Sequence, residues 1–542
     1  MEEDIQKLYS ASVRLSEGAY LFLKTANLTQ GQMRSLLAST SPILSLEEVQ
    51  KHLSPSPKII ISEKEQRGEG SSPSQIGGKS SISLKEKSAL QPSSHAKKEQ
   101  EETITCSQIK EHEKKEKPSH IIEVSRAPIF KPTAKDYSPD LKINSQYDVS
   151  GQSKCVGSVE DFVAYFRDRY RQEGKILKER VCNLPILRLD QLAKNSGVDA
   201  RIIAIVSEKK ITSKGNIWLE VEDEYAHAKV LISEKEKCFD QAKKIINDDV
   251  IAFDGRAGQN FFIAKNITWP DLPVMREKPK VESDLAIAYI SDIHLGSRYF
   301  LERPFRRFLR WLKGEEGKSD LAGKVKYLII AGDIVDGIGV YPSQEDELTI
   351  TDIYKQYALF DEVVSMLPDY IEVIAGPGNH DAVRRGEPQP YIPMDLIKSD
   401  VKKIGSPSTL QIEGLNHLVY HGTSLDSVIA NIGGLSYAKP EGPMVEILKR
   451  RHLSPIYGEN LIVPELRDFL VISQEPDVVH MGHVHKNASA AYRGTRIINS
   501  GTFQDRTDFQ ARMGHIPSPA ITPVLELKTD QISHLKFLED SV

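Results

Sequence analysis

The sequence predicts a multidomain protein that ends in an α+β domain with stacked, sandwich-like sheets and flanking helices. A small β-barrel and a short N-terminal helical module are predicted to precede it. The chain has 542 residues, too many for one hydrophobic core. A polar stretch poor in aromatic residues separates its two ends, and in the C-terminal half apolar strands alternate with amphipathic helices, the pattern of a layered domain. The predicted helical module, linker, helix-plus-barrel domain and C-terminal domain span residues 1–53, 54–150, 151–275 and 276–542.

The N-terminal module is predicted from apolar residues at helical spacing. These residues are Leu8, Val13, Leu15, Tyr20, Leu21 and Leu23. A unit this short has little core, so a docking module and a marginal helical extension are equally good interpretations.

Residues 54–150 have the composition of a linker. Ser-Pro-Ser-Pro at 54–57, Gly-Ser-Ser-Pro-Ser at 70–74 and Lys-Lys-Glu-Gln-Glu-Glu at 97–102 are typical of the stretch. Such a segment cannot bury enough apolar surface to offset its chain entropy. We therefore expect a disordered linker whose charge runs serve solvation.

An amphipathic helix and five strands are predicted next. The helix follows from Phe162, Val163, Phe166 and Tyr170. The strands are predicted at 200–206, 217–221, 226–232, 250–253 and 261–264, with a helical stretch at 234–246. This order suggests a barrel of the OB type, which binds single strands or partner proteins. An acidic turn at 222–224 and few aromatic residues among basic ones favour a protein contact.

Composition excludes several classes of protein. The formal net charge is −5, with 39% hydrophobic and 27% charged residues, so no global basic field indicates a nucleic-acid binder. The four cysteines form no C-x-x-C pair, which argues against a disulfide framework or a zinc finger. The acidic N-terminus does not resemble a signal peptide, and no apolar run reaches the roughly 20 residues that span a bilayer. We expect a soluble, cytoplasmic protein without membrane contact.

Five segments of the C-terminal half share one design, in which an apolar run long enough for a buried strand ends in side chains that can bind metal. The run endings are Ser-Asp-Ile-His at 291–294, Gly-Asp-Ile-Val-Asp at 332–336, Gly-Asn-His-Asp at 378–381, His-Gly at 421–422 and Gly-His-Val-His at 482–485. Ligands of open α/β sheets bind at the carboxyl ends of strands, so we expect these endings to meet at one edge.

The residue types also favour a metal site. Asp and His suit Mn, Fe or Zn, and one bridging carboxylate suits two ions at once. In extended backbone, both side chains of an Asp-x-His or His-x-His pair point to the same side. Two ions about 3.5–4 Å apart can hold a phosphate and activate a water.

This series of blocks resembles the calcineurin-like metallophosphoesterases over about 285–510 and matches their pattern at every ligand position. The whole arrangement of helical module, linker, barrel and phosphoesterase is similar to the small subunits of archaeal family-D DNA polymerases. Ser-Asp-Ile-His-Leu-Gly-Ser at 291–297, Gly-Pro-Gly-Asn-His-Asp at 376–381 and Arg-His-Leu-Ser-Pro-Ile-Tyr-Gly at 451–458 carry this second resemblance.

The resemblance implies a role for each residue. One ion would be held by Asp292, His294 and His485. The other would be held by Asn379, His421 and His483. Asp333 would bridge the two ions, and His380 would act beside the phosphate as general acid or transition-state stabiliser. Asp336 and Asp381 would orient histidines from outside the ligand set.

The resemblance also implies cofactors and partners. The cofactors would be two divalent ions, Mn²⁺ in the first place, with Mg²⁺, Fe²⁺ and Zn²⁺ as alternatives. The partners would be DNA and the large catalytic subunit of a family-D polymerase, with the sliding clamp and primase as further candidates. The small subunits of eukaryotic replicative polymerases share the architecture but have lost metal ligands, whereas this sequence keeps them all. A 3′–5′ exonuclease is therefore expected.

Two other functions stay open at this point: a non-catalytic scaffold subunit and a free-standing phosphodiesterase. The intact ligand set argues against the first, and the barrel and linker argue against the second.

Four histidines receive no site role: His417, His452, His480 and His515. Arg506 and Arg512 are equally good candidates for a DNA contact and for solvation. The basic run from Arg303 to Lys313 favours a solvated helix face over a phosphate contact.

Overall fold

The computed structural model describes residues 14–15, 43–44, 130–512 and 514–538. The chain divides into two units, 1–118 and 119–542. In the first unit, β1 (Arg14–Leu15) pairs in parallel with β2 (Ile43–Leu44). The rest of the predicted helical module, and the linker up to residue 129, lie outside the described residues. In the described part of the chain, no helix has the length and apolar character needed to cross a membrane.

The end of the predicted linker differs from the expectation. Residues 130–150 are ordered, and β3 (Leu141–Ile143) forms the edge strand of a sheet of the C-terminal domain. The buried Asp148 carboxylate accepts a 2.7 Å hydrogen bond from the Gly405 backbone amide. The segment is held by strand pairing and polar anchors to distant residues, which composition does not reveal. The boundary predicted at residue 150 is therefore too late.

The predicted amphipathic helix is α1 (Val159–Lys178). It begins with a capping box, in which Ser158 and Asp161 exchange side-chain to backbone hydrogen bonds. The Tyr170 hydroxyl donates to the carbonyl of Ile203 at 3.0 Å and ties the helix to the next element.

The five predicted strands form a closed barrel. The strands are β4 (Asp199–Ile211), β5 (Ile217–Glu222), β6 (His227–Ile232), β7 (Val250–Ala257) and β8 (Phe261–Thr268). They close in the order β4-β5-β6-β8-β7, with β6 and β8 parallel. Inside β5, buried and half-buried residues alternate, as expected when one strand face lines a core. The helical stretch predicted at 234–246 contains one short helix, α2 (Phe239–Ala242).

The C-terminal domain alternates strands and helices as predicted. In chain order they are β9 (Ala286–Ile290), α3 (Glu302–Leu312), α4 (Ser319–Lys324), β10 (Val325–Ala331), α5 (Ile353–Ser365), β11 (Glu372–Gly376), β12 (Lys402–Lys403), β13 (Ser408–Ile412), β14 (Leu415–Val419), α6 (Leu425–Asn431), α7 (Glu441–Arg450), β15 (Val478–Met481), β16 (Asn487–Tyr492), β17 (Thr495–Ser500), α8 (Asp508–Arg512), β18 (Ile521–Glu526) and β19 (Gln531–Lys536).

These elements form four layers. One sheet has the order β12-β11-β10-β9-β18-β19, and the other has the order β16-β17-β15-β14-β13-β3. Residues of both sheets share one core, including Ile329, Val419 and Ile498. Helices α3 and α5 cover the outer face of the first sheet, and α6 and α7 cover that of the second. Because β9, β10 and β11 are parallel and covered on both faces, they are almost entirely apolar, with Lys326 near the start of β10 and Glu372 at the start of β11 as the charged exceptions.

The basic run after the first block lies on α3. Arg306 pairs with Glu302 at 2.8 Å, and Arg310 pairs with Glu316 at 2.6 Å. These arginines have acidic partners on the protein surface, as expected for a solvated helix face.

A buried charge cluster ties α1 to the C-terminal domain. The Arg169 guanidinium is fully buried and pairs with Asp468 at 3.0 Å, and His452 Nε2 lies 2.8 Å from the same carboxylate. Burial raises the pKa of Asp468, but His452 and Arg169 more than offset this effect and lower it to about 2. The charge of Asp468 therefore stabilises the folded junction, and its loss would leave Arg169 buried and unpaired.

We expect Asp468→Asn to lower the free energy of unfolding by about 3–5 kcal/mol at neutral pH, the usual cost of breaking a buried ion pair. The folded pKa lies below the ordinary carboxyl value of about 3.9. The ionised group therefore stabilises the protein above about pH 4, and this contribution is lost as the pH falls towards about 2. The difference between the two proteins should shrink over that window in urea unfolding curves followed by circular dichroism.

Asp240→Asn is the matched control, because that carboxylate is exposed and its change should stay within about 0.5 kcal/mol. A difference for Asp468→Asn that does not depend on pH would contradict the assignment.

Candidate metal centre

The strand ends of both sheets place the predicted residues in strained loops. Five of the predicted ligands have left-handed backbone, with φ between 50° and 67°, and they are Asp292, His294, Asp333, His483 and His485. Residues other than glycine adopt this region at an energetic cost, so the surrounding fold must impose it. Glycines make the approach possible. A Cβ on Gly378 would collide with the Asp333 carboxylate, and one on Gly482 would collide with that of Asp292.

One group of ligand atoms is formed by Asp292, His294 and His485, within 4.8 Å of one another. His294 Nε2 lies 3.2 Å from His485 Nε2, which lies 3.3 Å from an Asp292 oxygen. The three side chains are buried.

A second group is formed by Asp333, His421 and His483, with the Asn379 amide oxygen among them. His421 Nε2 is 3.2 Å from an Asp333 oxygen and 3.0 Å from Asn379 Oδ1, and His483 Nδ1 is also 3.0 Å from Asn379 Oδ1. The same Asp333 oxygen lies 3.9 Å from His294 Nε2. Asp333 therefore stands between the two groups.

Hydrogen bonds orient two of the imidazoles. His294 Nδ1 lies 2.9 Å from Asp336 Oδ1, and His421 Nδ1 lies 2.8 Å from the Ala331 carbonyl, so each ring turns Nε2 towards its group. Asp381 is placed differently. Its carboxylate accepts hydrogen bonds from the Gly378 amide at 2.8 Å and the Tyr357 hydroxyl at 3.0 Å. Asp381 therefore holds the loop of the third block together. The sequence instead predicted that Asp381 would orient a histidine.

The electrostatics favour bound cations. Burial raises the pKa of Asp333, but the His421 and His380 imidazoles hold it well below its usual range. Burial lowers the pKa of His421, but Asp333 and Asp292 raise it to about 10. In the metal-free protein the buried carboxylates therefore favour the protonated form of His421. Divalent ions would displace these protons, since imidazole binds metal in its neutral form. Clustered oxygen and imidazole donors fit Mn, Fe or Zn.

His380 lies beside both groups, and a nitrogen of its ring is within 4.8 Å of ligand atoms of His294 and Asp333. Its Nδ1 is 2.7 Å from the Asp336 carbonyl, and its ring meets His294 edge-on with centroids 4.7 Å apart. Burial lowers the pKa of His380, and Asp333 acts in the opposite direction. Since Nδ1 is occupied by the carbonyl, Nε2 is the nitrogen available for proton exchange.

A cavity of about 240 Å³ opens onto these groups. Its walls include Tyr341, Tyr437, His515, Gln504 and Gln510 in addition to the predicted residues. The other three unassigned histidines are buried elsewhere. Burial lowers the pKa of His417 and His452 to about 4 and that of His480 to about 3.

Sequence reasoning missed Asp426. This residue of α6 lies 3.0 Å from His483 Nε2 and accepts a hydrogen bond from the Tyr437 hydroxyl. With Nε2 held by the carboxylate, Nδ1 of His483 faces Asn379 and the second group. The only signal in the sequence is an acidic residue shortly after the His-Gly block, which is too common to be singled out.

Comparison with known proteins defines the class. The family model of the calcineurin-like phosphoesterases matches residues 285–487, and proteins of this class use divalent metal ions.

Relatives match more of the chain. It is 40% identical over 410 residues to the DNA polymerase II small subunit of Methanocaldococcus jannaschii, covering 73% of this chain and 68% of that protein. The subunit of Archaeoglobus fulgidus is 40% identical over 380 residues, with 69% and 76% covered. That of Methanothermobacter thermautotrophicus is 38% identical over 415 residues, with 74% and 84% covered. The chain belongs to the family of the archaeal DNA polymerase II small subunits.

We expect Asp426→Asn to weaken Mn²⁺ binding at the group containing His483 by about 10–100-fold, because a neutral amide no longer fixes the ring. The other group should keep its affinity. Isothermal titration calorimetry would resolve the two sites. Asp395→Asn, at an exposed position, is the matched control. Two unchanged binding steps in Asp426→Asn would contradict the positioning role.

Proposed function

We propose that this chain is a metal-dependent 3′–5′ DNA exonuclease that proofreads as the small subunit of a heteromeric DNA polymerase. The observation that carries the proposal is the convergence of the predicted ligands into two groups with Asp333 between them. The names of its relatives place them in a DNA polymerase, which indicates DNA as the phosphodiester substrate.

In this proposal one ion would be held by Asp292, His294 and His485, and the other would be held by Asn379, His421 and His483. Asp333 would be the ligand that the two sets share. Mn²⁺ is the first choice, and Mg²⁺, Fe²⁺ and Zn²⁺ are alternatives. Two such ions supply charge stabilisation for the phosphate and lower the pKa of bound water.

His380 acts on the leaving group. The Asp336 carbonyl accepts a hydrogen bond from Nδ1 and orients the ring, and Nε2 of the protonated imidazole donates its proton to the leaving oxygen as the scissile P–O bond breaks. Tyr341 and Tyr437 line the cavity beside this site.

We propose that the barrel is of the OB type, and a closure that pairs β6 with β8 in parallel and returns through β7 to β4 supports this. We propose that it forms, together with the phosphoesterase domain, the docking surface for the large catalytic subunit. Buried charges make these parts rigid, as Arg169 does with Asp468 and Arg450 does with Asp249 at 2.9 Å. A rigid surface costs little ordering entropy on association.

The nuclease test uses the purified chain with 5′-labelled single-stranded DNA and Mn²⁺. We expect stepwise shortening from the 3′ end. Asp333→Asn should lose more activity than His485→Ala, because only Asp333 is shared by both ions, and its metal content should fall in parallel by elemental analysis. Full activity and two ions retained in Asp333→Asn would make the site assignment wrong.

His380→Ala separates chemistry from metal binding in the same assay. It should keep its metal content while hydrolysis falls about 10²-fold or more, the usual scale for a lost acid–base group. His227→Ala, on an exposed barrel strand, controls for the loss of an imidazole.

The partner test is co-expression with the large polymerase subunit. Residues 119–542 should elute with it from a size-exclusion column through an interface of about 1,600 Å² or more, and residues 1–118 should not. Variants of the ligands should keep the association, since docking and metal binding use different surfaces. Association through residues 1–118 alone would overturn the docking proposal and leave the nuclease proposal intact.

A further inference from the structure

A second cavity adjoins the metal centre. It has a volume of about 510 Å³, is more open to solvent than the first, and is lined by Arg385, Thr423, Glu459 and Asn460 among others. We name it the outer basin, and the 240 Å³ cavity the inner basin.

The two basins share part of their walls. Asn379, Asp426 and Tyr437 line both, so the proposed ligand Asn379 stands where they meet. A phosphate held at this junction has space on both sides. A phosphate monoester would fill one side only, whereas a diester within a strand has a nucleoside on each side. The geometry therefore favours a strand over a small phosphorylated substrate.

The inner basin suits a single nucleotide. It is the smaller of the two, and its wall contains the rings of Tyr341, Tyr437 and His515. The His515 ring packs on Tyr437 with centroids 4.1 Å apart, which braces that wall. Aromatic rings stack on any base, so such a pocket accepts a terminal nucleotide without reading its sequence.

The outer basin suits the rest of the strand. Arg385 is the only lysine or arginine among the described residues that line it. One guanidinium nitrogen donates to the Gly339 carbonyl at 2.6 Å, which fixes the exposed head and leaves other donors free. A guanidinium held in this way is preorganised for a phosphate. Two acidic residues line this basin, and one of them, Asp426, already contacts His483. The other, Glu459, repels a phosphate, so phosphate binding in this basin depends on the positive charge of Arg385.

We propose that the strand crosses the metal centre with its 3′-terminal nucleotide in the inner basin and the retained chain in the outer basin. Arg385 contacts a backbone phosphate of the retained chain. This inference rests on the proposed nuclease function and adds to it the path of the strand, a positive contact and the size of the product.

The test compares two substrates on the full chain in Mn²⁺: a single-stranded oligonucleotide, and bis(p-nitrophenyl) phosphate, which has no second phosphate for Arg385 to contact. In Arg385→Ala the ratio of kcat/KM for the oligonucleotide to that for the small diester should fall about 10-fold, mostly through KM. The salt dependence of oligonucleotide binding should lose about one unit of slope, as expected for one lost phosphate contact. Arg385→Lys should recover part of the ratio, and Arg385→Glu should lower it further.

Arg306→Ala, on α3, is the control for removing an exposed arginine. An unchanged ratio and salt slope in Arg385→Ala and Arg385→Glu, with the oligonucleotide still degraded, would overturn the strand path and leave the nuclease function standing. An equal loss on both substrates would also overturn it, since Arg385 would then support the metal centre itself. Dinucleotides as the main product of the parent protein would contradict the inner basin. If the parent cleaves neither substrate, the nuclease function fails and the strand path with it.

Discussion

The position of Asp333 is the constraint on which the rest of the C-terminal domain depends. Its carboxylate is buried with imidazoles on both sides, which hold its pKa well below the usual range, and no lysine or arginine is paired with it among the described residues. The backbone at Asp333 is left-handed, and the loop of the third block packs so closely that Gly378 tolerates no side chain. The stacked sheets supply the rigidity that keeps these loops in place. The strained backbone lowers the stability of the fold, and in return the carboxylates and imidazoles are held together where cations can bind.

The sequence predicted what depends on local pattern. Each block combines an apolar strand with ligands directly after it, so spacing alone places Asp292 or His485 at a strand end. The barrel strands were predicted from local pattern too, because each is an apolar run bounded by a turn. Asp426 and Arg385 were missed, because their positions near the centre depend on how α6 and the loop after the third block pack. The spacing of apolar residues in the sequence does not reveal such packing. The same holds for β3, whose few apolar residues become ordered only through pairing with a strand more than 250 residues away.

The junction between α1 and the C-terminal domain shows a different use of charge. Arg169 and Asp468 are both buried, so their attraction first has to offset the cost of removing two ions from water. Such pairs add little stability compared with apolar packing, but they tolerate few alternative arrangements. An interface built on them has one preferred geometry. This suits the proposed nuclease function, in which a strand end must be received at a fixed position.

Strand β3 has a consequence for the second sheet as a whole. It lies outside β13 and satisfies the backbone groups that β13 would otherwise present to solvent. An uncovered edge strand is a template for a strand of another molecule. The three residues of β3 therefore limit edge-to-edge aggregation by covering β13. A proteolytic cut that released them would replace the three-residue edge strand β3 by the five-residue β13, a longer edge with which a strand of another molecule could pair.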